Sequence, residues 1–137
     1  MQVRSIADLL NLARTVIDYI KVAKGAEKRQ QELLGAIETT KDLISNFQEK
    51  ESAETWMATM HRLKSPQGAL DQFQSLLKFL ELELRPAERT AVSKFRITEE
   101  QVHQIISKID RINVLILVAV QILHMFSALE APLIIAI

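Results

Sequence analysis

Apolar residues in this chain recur at steps of three and four across long stretches that neither glycine nor proline interrupts. That spacing places them along one side of an α-helix, whose period is 3.6 residues, whereas a half-buried strand would need alternation. Only three glycines (Gly25, Gly35, Gly68) and three prolines (Pro66, Pro86, Pro132) punctuate the 137 residues. So few turn formers argue against many short strands. The expected fold is all-α: a four- to five-helix bundle with a long, apolar C-terminal helix.

The first helix is expected at about residues 3 to 22, where Val3, Ile6, Leu9, Leu10, Ala13, Val16, Ile17 and Ile20 make one stripe. Gly25 breaks it. A second follows from about 26 to 49, with Leu33, Leu34, Ile37, Leu43, Ile44 and Phe47 inward and a mixed-sign, solvated opposite face. A shorter helix carries Trp56, Met57, Met60 and Leu63 and stops at "KSPQG", where Ser65, Pro66 and Gly68 supply turn chemistry. The next spans about 68 to 84, with Leu70, Phe73, Leu76, Leu77, Leu80 and Leu84 inward, and Pro86 ends it. Thr98 and Gln101 fit a capping box that opens the last helix, in which Val102, Ile105, Ile106, Ile109 and Ile112 form a narrow stripe. Beyond Arg111 the stripe widens until the helix is apolar all round, and with no Gly or Pro before Pro132 the whole helix is expected to run about 30 residues, or roughly 45 Å. The domain reading is a bundle over residues 1–130 and an apolar tail over 131–137.

Seventeen basic and seventeen acidic residues cancel, so no bulk positive charge points to nucleic acid. Cysteine is absent, which excludes disulfides and thiolate metal sites. His61, His103 and His124 lie far apart with no carboxylate at ligand spacing, and no metal site is expected. His124, in an apolar helix, reads as hydrogen-bonded packing. No phosphate-cradling glycine loop, nucleophile elbow or dinucleotide fingerprint occurs, so neither enzymatic activity, a cofactor nor a small-molecule substrate is expected. Arg4, Asp8, Arg14 and Asp18 interrupt the only early apolar region, which does not read as a secretory signal. The expected location is cytoplasmic, with membrane association as the alternative.

Four features carry functional alternatives. The first-helix stripe, with Val3, Ile6, Leu9, Leu10, Val16 and Ile17, reads as core on pattern and as a membrane or partner surface otherwise. Trp56 reads as a core plug or an interface anchor. The basic stretch with Arg85, Arg89, Lys94 and Arg96 reads as a solvated loop or a contact for anionic lipid or protein. The run from Ile112 to Leu129 carries no formal charge and approaches the roughly 20 apolar residues that a bilayer core needs. Asn113, Gln121, His124 and Ser127 sit within it, and the upstream stripe is in phase with Ile112 and Ile116. A buried helix is therefore expected over 112–121, and residues 122–137 must pack on the bundle, meet a partner or touch lipid.

Three stretches resemble the N-terminal helical (HeLo-like) domain of fungal NLR-like STAND proteins: "VIDYIKVAKGAEKRQQELLGAIETTKDLISNF", "TWMATMHRLKSPQGALDQFQSLLKFLELEL" and "EEQVHQIISKIDRINVLILVAVQ". The second carries a Trp near a helix start (Trp56) and then Gly-x-Leu-x-Gln-Phe at Gly68, Leu70, Gln72 and Phe73. The third carries the family's Ile-Glu-Arg-like triplet as Ile109, Asp110 and Arg111. The resemblance spans about residues 5 to 121 and contains no catalytic motif. It departs where the family has a Trp-Pro-Phe turn, here Phe95, Arg96 and Ile97, and where an acidic residue is usual, here Gln101. After Gln121 the family becomes polar and leads to a NACHT motor, whereas this chain reads "ILHMFSALEAPLIIAI".

The resemblance implies a helical bundle at the effector end of a cell-death or non-self response, standing alone or as a truncated copy. It implies action by oligomerisation, with related NLR-like proteins and membrane lipid as further candidate partners, and with residues 3 to 22 as the executing element. Arg4, Asp8, Arg14 and Asp18 are costly in hydrocarbon, which favours surface insertion or assembly over solitary spanning. Two rival expectations stand beside it: an interaction or decoy module without killing activity, and a small protein anchored by residues 112 to 129.

Overall fold

The computed structural model describes residues 5–46, 48–50, 53–86 and 94–136, with side chains of the last segment described through Met125. The described chain is all-helical and forms a bundle of five α-helices: α1 (Ile6–Val22), α2 (Glu27–Ser45), α3 (Met57–Lys64), α4 (Ala69–Leu84) and α5 (Glu99–Ala136). Short 3-10 turns at Gln48–Lys50 and Glu54–Trp56 lie between α2 and α3.

Local chemistry sets the helix ends. Ser5 caps α1 by accepting the Asp8 amide at 3.1 Å. Gly25, at φ +102°, takes the left-handed turn that reverses the chain toward α2. α2 has no side-chain cap of its own at Ala26. The buried Gln30 does that work instead. Its Oε1 accepts the Ala26 amide at 3.1 Å, and its Nε2 donates to the carbonyls of Ile20 (2.8 Å) and Ala23 (2.6 Å). One amide thus satisfies the end of α1 and the start of α2, which otherwise leave orphan backbone groups. At the start of α5 the expected capping box is present: the Thr98 amide donates to Gln101 Oε1 (3.0 Å), and the Gln101 amide donates to Thr98 Oγ1 (3.1 Å).

α1 packs against α2 and α4, and α5 packs against the same two, which makes a four-membered ring. α2 and α5 run parallel, because Glu32 faces His103 (4.0 Å) and, further along both, Thr40 Oγ1 donates to Asn113 Oδ1 (2.7 Å). The segment holding α3 crosses from α2 toward α4 and also touches α5. At the other end the Phe95 amide donates to the Lys24 carbonyl (2.8 Å), tying the entry of α5 to the α1–α2 turn. Phe95 and Ile97 are buried there, while Lys94 and Arg96 alternate outward.

The expected stripes form the core. Every inward residue anticipated for α4 is buried, as are Leu33, Leu34, Ile37 and Ile44 of α2 and Met60 and Leu63 of α3. Leu43 and Ile106 are half-buried, Met57 is exposed, and Phe47 lies outside the described residues. The expectation of a buried helix over 112–121 needs correction. Only Ile112 and Ile116 are buried there; Val114, Leu115, Leu117 and Val118 are exposed. The cause is length and position. α1, α2 and α4 have 16 to 19 residues, about 24–29 Å, against 38 residues and about 57 Å for α5. A corner helix in a ring is covered on one side only, and along the described part of its distal half only the short segment of Trp56 and α3 reaches it.

Candidate interaction surface on the last helix

Ile6, Leu9, Leu10, Val16 and Ile17 are 0–5 % exposed, so in this arrangement the α1 stripe is core rather than surface. Val3 lies outside the described residues. What α1 shows to solvent is mostly polar, including Arg14 bonded to Asn11 at 2.9 Å, with Val22 exposed at its end. A membrane or partner role for that stripe would require α1 to leave the ring.

The basic stretch does not gather into one described patch. Arg85, at the end of α4, pairs with Glu81 at 3.2 Å, which offsets its charge locally. Lys94 and Arg96 are exposed on the extended entry to α5, and Arg89 lies outside the described residues.

The motif residues have structural work. A Cβ on Gly68 would sit 2.3 Å from the Arg62 carbonyl oxygen and 2.5 Å from that of Leu63, so only glycine lets the α3–α4 turn close. Gln67 before it holds φ +70°, a costly conformation for a residue with a side chain. The turn is braced by the Gln67 amide donating to Asp71 Oδ2 (3.1 Å) and Gln72 Nε2 donating to the Gln67 carbonyl (2.8 Å). Leu70, Phe73 and Ile109 are fully buried, while Asp110 and Arg111 are exposed.

Trp56 is buried and meets His124 edge-on, with ring centroids 6.3 Å apart at 74°. This is the core-plug reading of Trp56. His124 differs from expectation: it is exposed and packs by its ring.

Between α4 and α5 runs an open groove of about 590 Å3, walled by Asp71, Ser75 and Phe79 on one side and Gln104, Lys108 and Arg111 on the other. Asp71 Oδ1 is buried without a hydrogen-bond partner. Among the described residues no group of three or more His, Cys, Asp or Glu could hold a metal ion.

Among the described residues the largest departure from ordinary surface chemistry is the outward face of α5. Along its first three turns that face carries Glu100, His103, Gln104, Ser107, Asp110 and Arg111, all exposed. Continuing at the same helical spacing it carries Val114, Leu115, Leu117, Val118, Ile122 and Met125, each 42–58 % exposed, with Gln121 among them. The face therefore changes from charged to apolar just beyond Arg111. Contiguous apolar surface of this kind is uncommon on a folded chain. Beside it, α3 and α5 enclose a shallow groove of about 190 Å3 lined by Thr59, Arg62, Leu63, Leu115, Val118 and Ile122. The sequence contained the signal as the widening stripe, but periodicity alone could not say which side remains uncovered.

Among the described residues no helix is long and apolar enough to cross a membrane. Comparison with protein-family models, curated proteins and solved structures finds no match to this chain.

Proposed function

We propose that this chain is a non-enzymatic effector or signalling module of the fungal NLR (STAND) type, working by assembly through its long, apolar C-terminal helix. The observation that carries the reading is the outward face of α5, which turns apolar beyond Arg111 and holds six large hydrophobics at about half exposure. A face built only to meet water would continue the charged pattern of residues 100–111.

A specific observation favours a second reading, an interaction or decoy module without killing activity. The apolar side of α1 is sealed in the core, and releasing it would expose seven buried side chains. At about 1.5–3 kcal/mol for each large one, that release is comparable to the whole stability of a domain.

Tagged expression of the full chain in yeast tests both. Growth arrest on expression of the full chain supports the effector reading. Harmless expression with capture of a full-length relative supports the decoy. Harmless expression with no self-capture and no capture of such a relative would remove both. Fractionation that resists alkaline carbonate would instead mark an anchored protein.

A further inference from the structure

We infer that the distal outward face of α5 is a two-fold, antiparallel self-association surface whose occupant is a second copy of this chain. The inference rests on the assembly reading above and names the partner and the register.

Leu115, Val118, Ile122 and Met125 are spaced by three, four and three residues, and all are exposed. That is the seam spacing of two helices packed side by side, with knobs from one entering holes in the other. Antiparallel pairing centred near residue 120 sets Leu115 against Met125 of the second copy and Val118 against its Ile122. The two-fold axis repeats both layers, giving four apolar layers between residues 115 and 125. The groove between α3 and α5 lies along Leu115, Val118 and Ile122 and supplies holes for the incoming side chains.

Polarity decides the direction. A parallel two-fold pair sets each residue opposite itself, so Glu100 would face Glu100, Asp110 would face Asp110, and Arg111 would face Arg111. Like charges directly opposed destabilise. Antiparallel pairing sends the two bundles to opposite ends, so no charged residue of this face lies opposite its own copy.

The area fits a second copy. Six side chains at about half exposure, on both copies, remove roughly 400–700 Å2 of apolar surface from water. With the polar share usual at interfaces, the total comes near the ~1,000 Å2 at which a specific dimer becomes stable. The dimer is therefore concentration-dependent rather than obligate.

Sedimentation of the full chain across a concentration series, for wild type, Val118→Glu, Ile122→Lys and a mixture of the two variants, tests this. Wild type dimerises. Each variant alone loses about a hundred-fold or more in affinity, because the two-fold axis buries two unpaired charges. The mixture regains a mixed dimer, since Glu at 118 meets Lys at 122 in one layer and the other layer stays Val–Ile. Helical circular dichroism unchanged in both variants shows that folding is intact. Association that survives in both variants overturns this surface while leaving the assembly reading standing. Loss without rescue in the mixture overturns the register. A wild-type chain that stays monomeric yet floats with phosphatidylcholine–phosphatidylserine vesicles makes lipid the occupant and overturns the proposal. A dimer that forms as described in a chain harmless to yeast keeps this inference and removes the effector reading.

Discussion

Replacing Gln30 by alanine removes one side chain and leaves three backbone groups without partners. The Ala26 amide loses its acceptor, and the Ile20 and Ala23 carbonyls lose their donor. A net hydrogen bond contributes about 0.5–1.5 kcal/mol, and an orphaned buried group costs about 1–3 kcal/mol. Three such losses set an upper range well above 4 kcal/mol. Two effects reduce it. A cleft beside Ala23, Lys24 and Gln30 gives water a route to these groups, and alanine has a helix propensity better by a few tenths of a kcal/mol. The expected net loss is about 2–4 kcal/mol, large for a surface-adjacent residue with little apolar contact. Urea denaturation followed by helical circular dichroism measures it through the midpoint at constant slope. Gln30→Glu separates hydrogen bonding from packing. The carboxylate keeps the acceptor but faces two carbonyls, which favours its protonated form in the folded state. Stability of that variant therefore rises as pH falls, because the acid regains one donor. A Gln30→Ala loss below about 0.5 kcal/mol would mean that the α1–α2 turn does not depend on this clasp.

Gly68→Ala should destabilise by about 1–3 kcal/mol in the same assay, because its Cβ meets backbone oxygens of α3 that cannot swing aside. Thr98→Ala should cost about 1 kcal/mol through loss of the α5 cap, and Thr98→Ser should restore most of it. Trp56→Ala should cost about 3–5 kcal/mol by opening a cavity between α3 and α5, and Trp56, the sole tryptophan, should emit at short wavelength in the folded chain. Val118→Glu should leave the urea midpoint of the monomer within about 0.5 kcal/mol of wild type, since the residue is half exposed and outward.

Helix existence and inward faces were legible because each depends on spacing alone. Leu70, Phe73, Leu76, Leu77, Leu80 and Leu84 are buried as their three- and four-residue steps require. The Thr98–Gln101 box was legible for the same reason: both partners are local in sequence. Gln30 was not, because it sits within a polar stretch and its acceptors lie seven and ten residues back, across a turn. The fate of Val114, Leu115, Leu117 and Val118 was misread because an all-round apolar helix is ordinarily central. Deciding otherwise needs the ring order and the relative helix lengths, which no local pattern encodes. The α1 stripe was legible as core, and nothing in its pattern separates a permanent core helix from one released on activation.

The most direct measurement of the central claim is growth of yeast expressing the full chain as wild type, as Val118→Glu, as Ile122→Lys, or as both variants together. Assembly through the distal face of α5 predicts arrest with wild type, normal growth with each variant alone, and arrest restored when the two are co-expressed. Arrest that persists with either variant alone, at equal protein levels, would contradict the claim that this face is where the chain does its work.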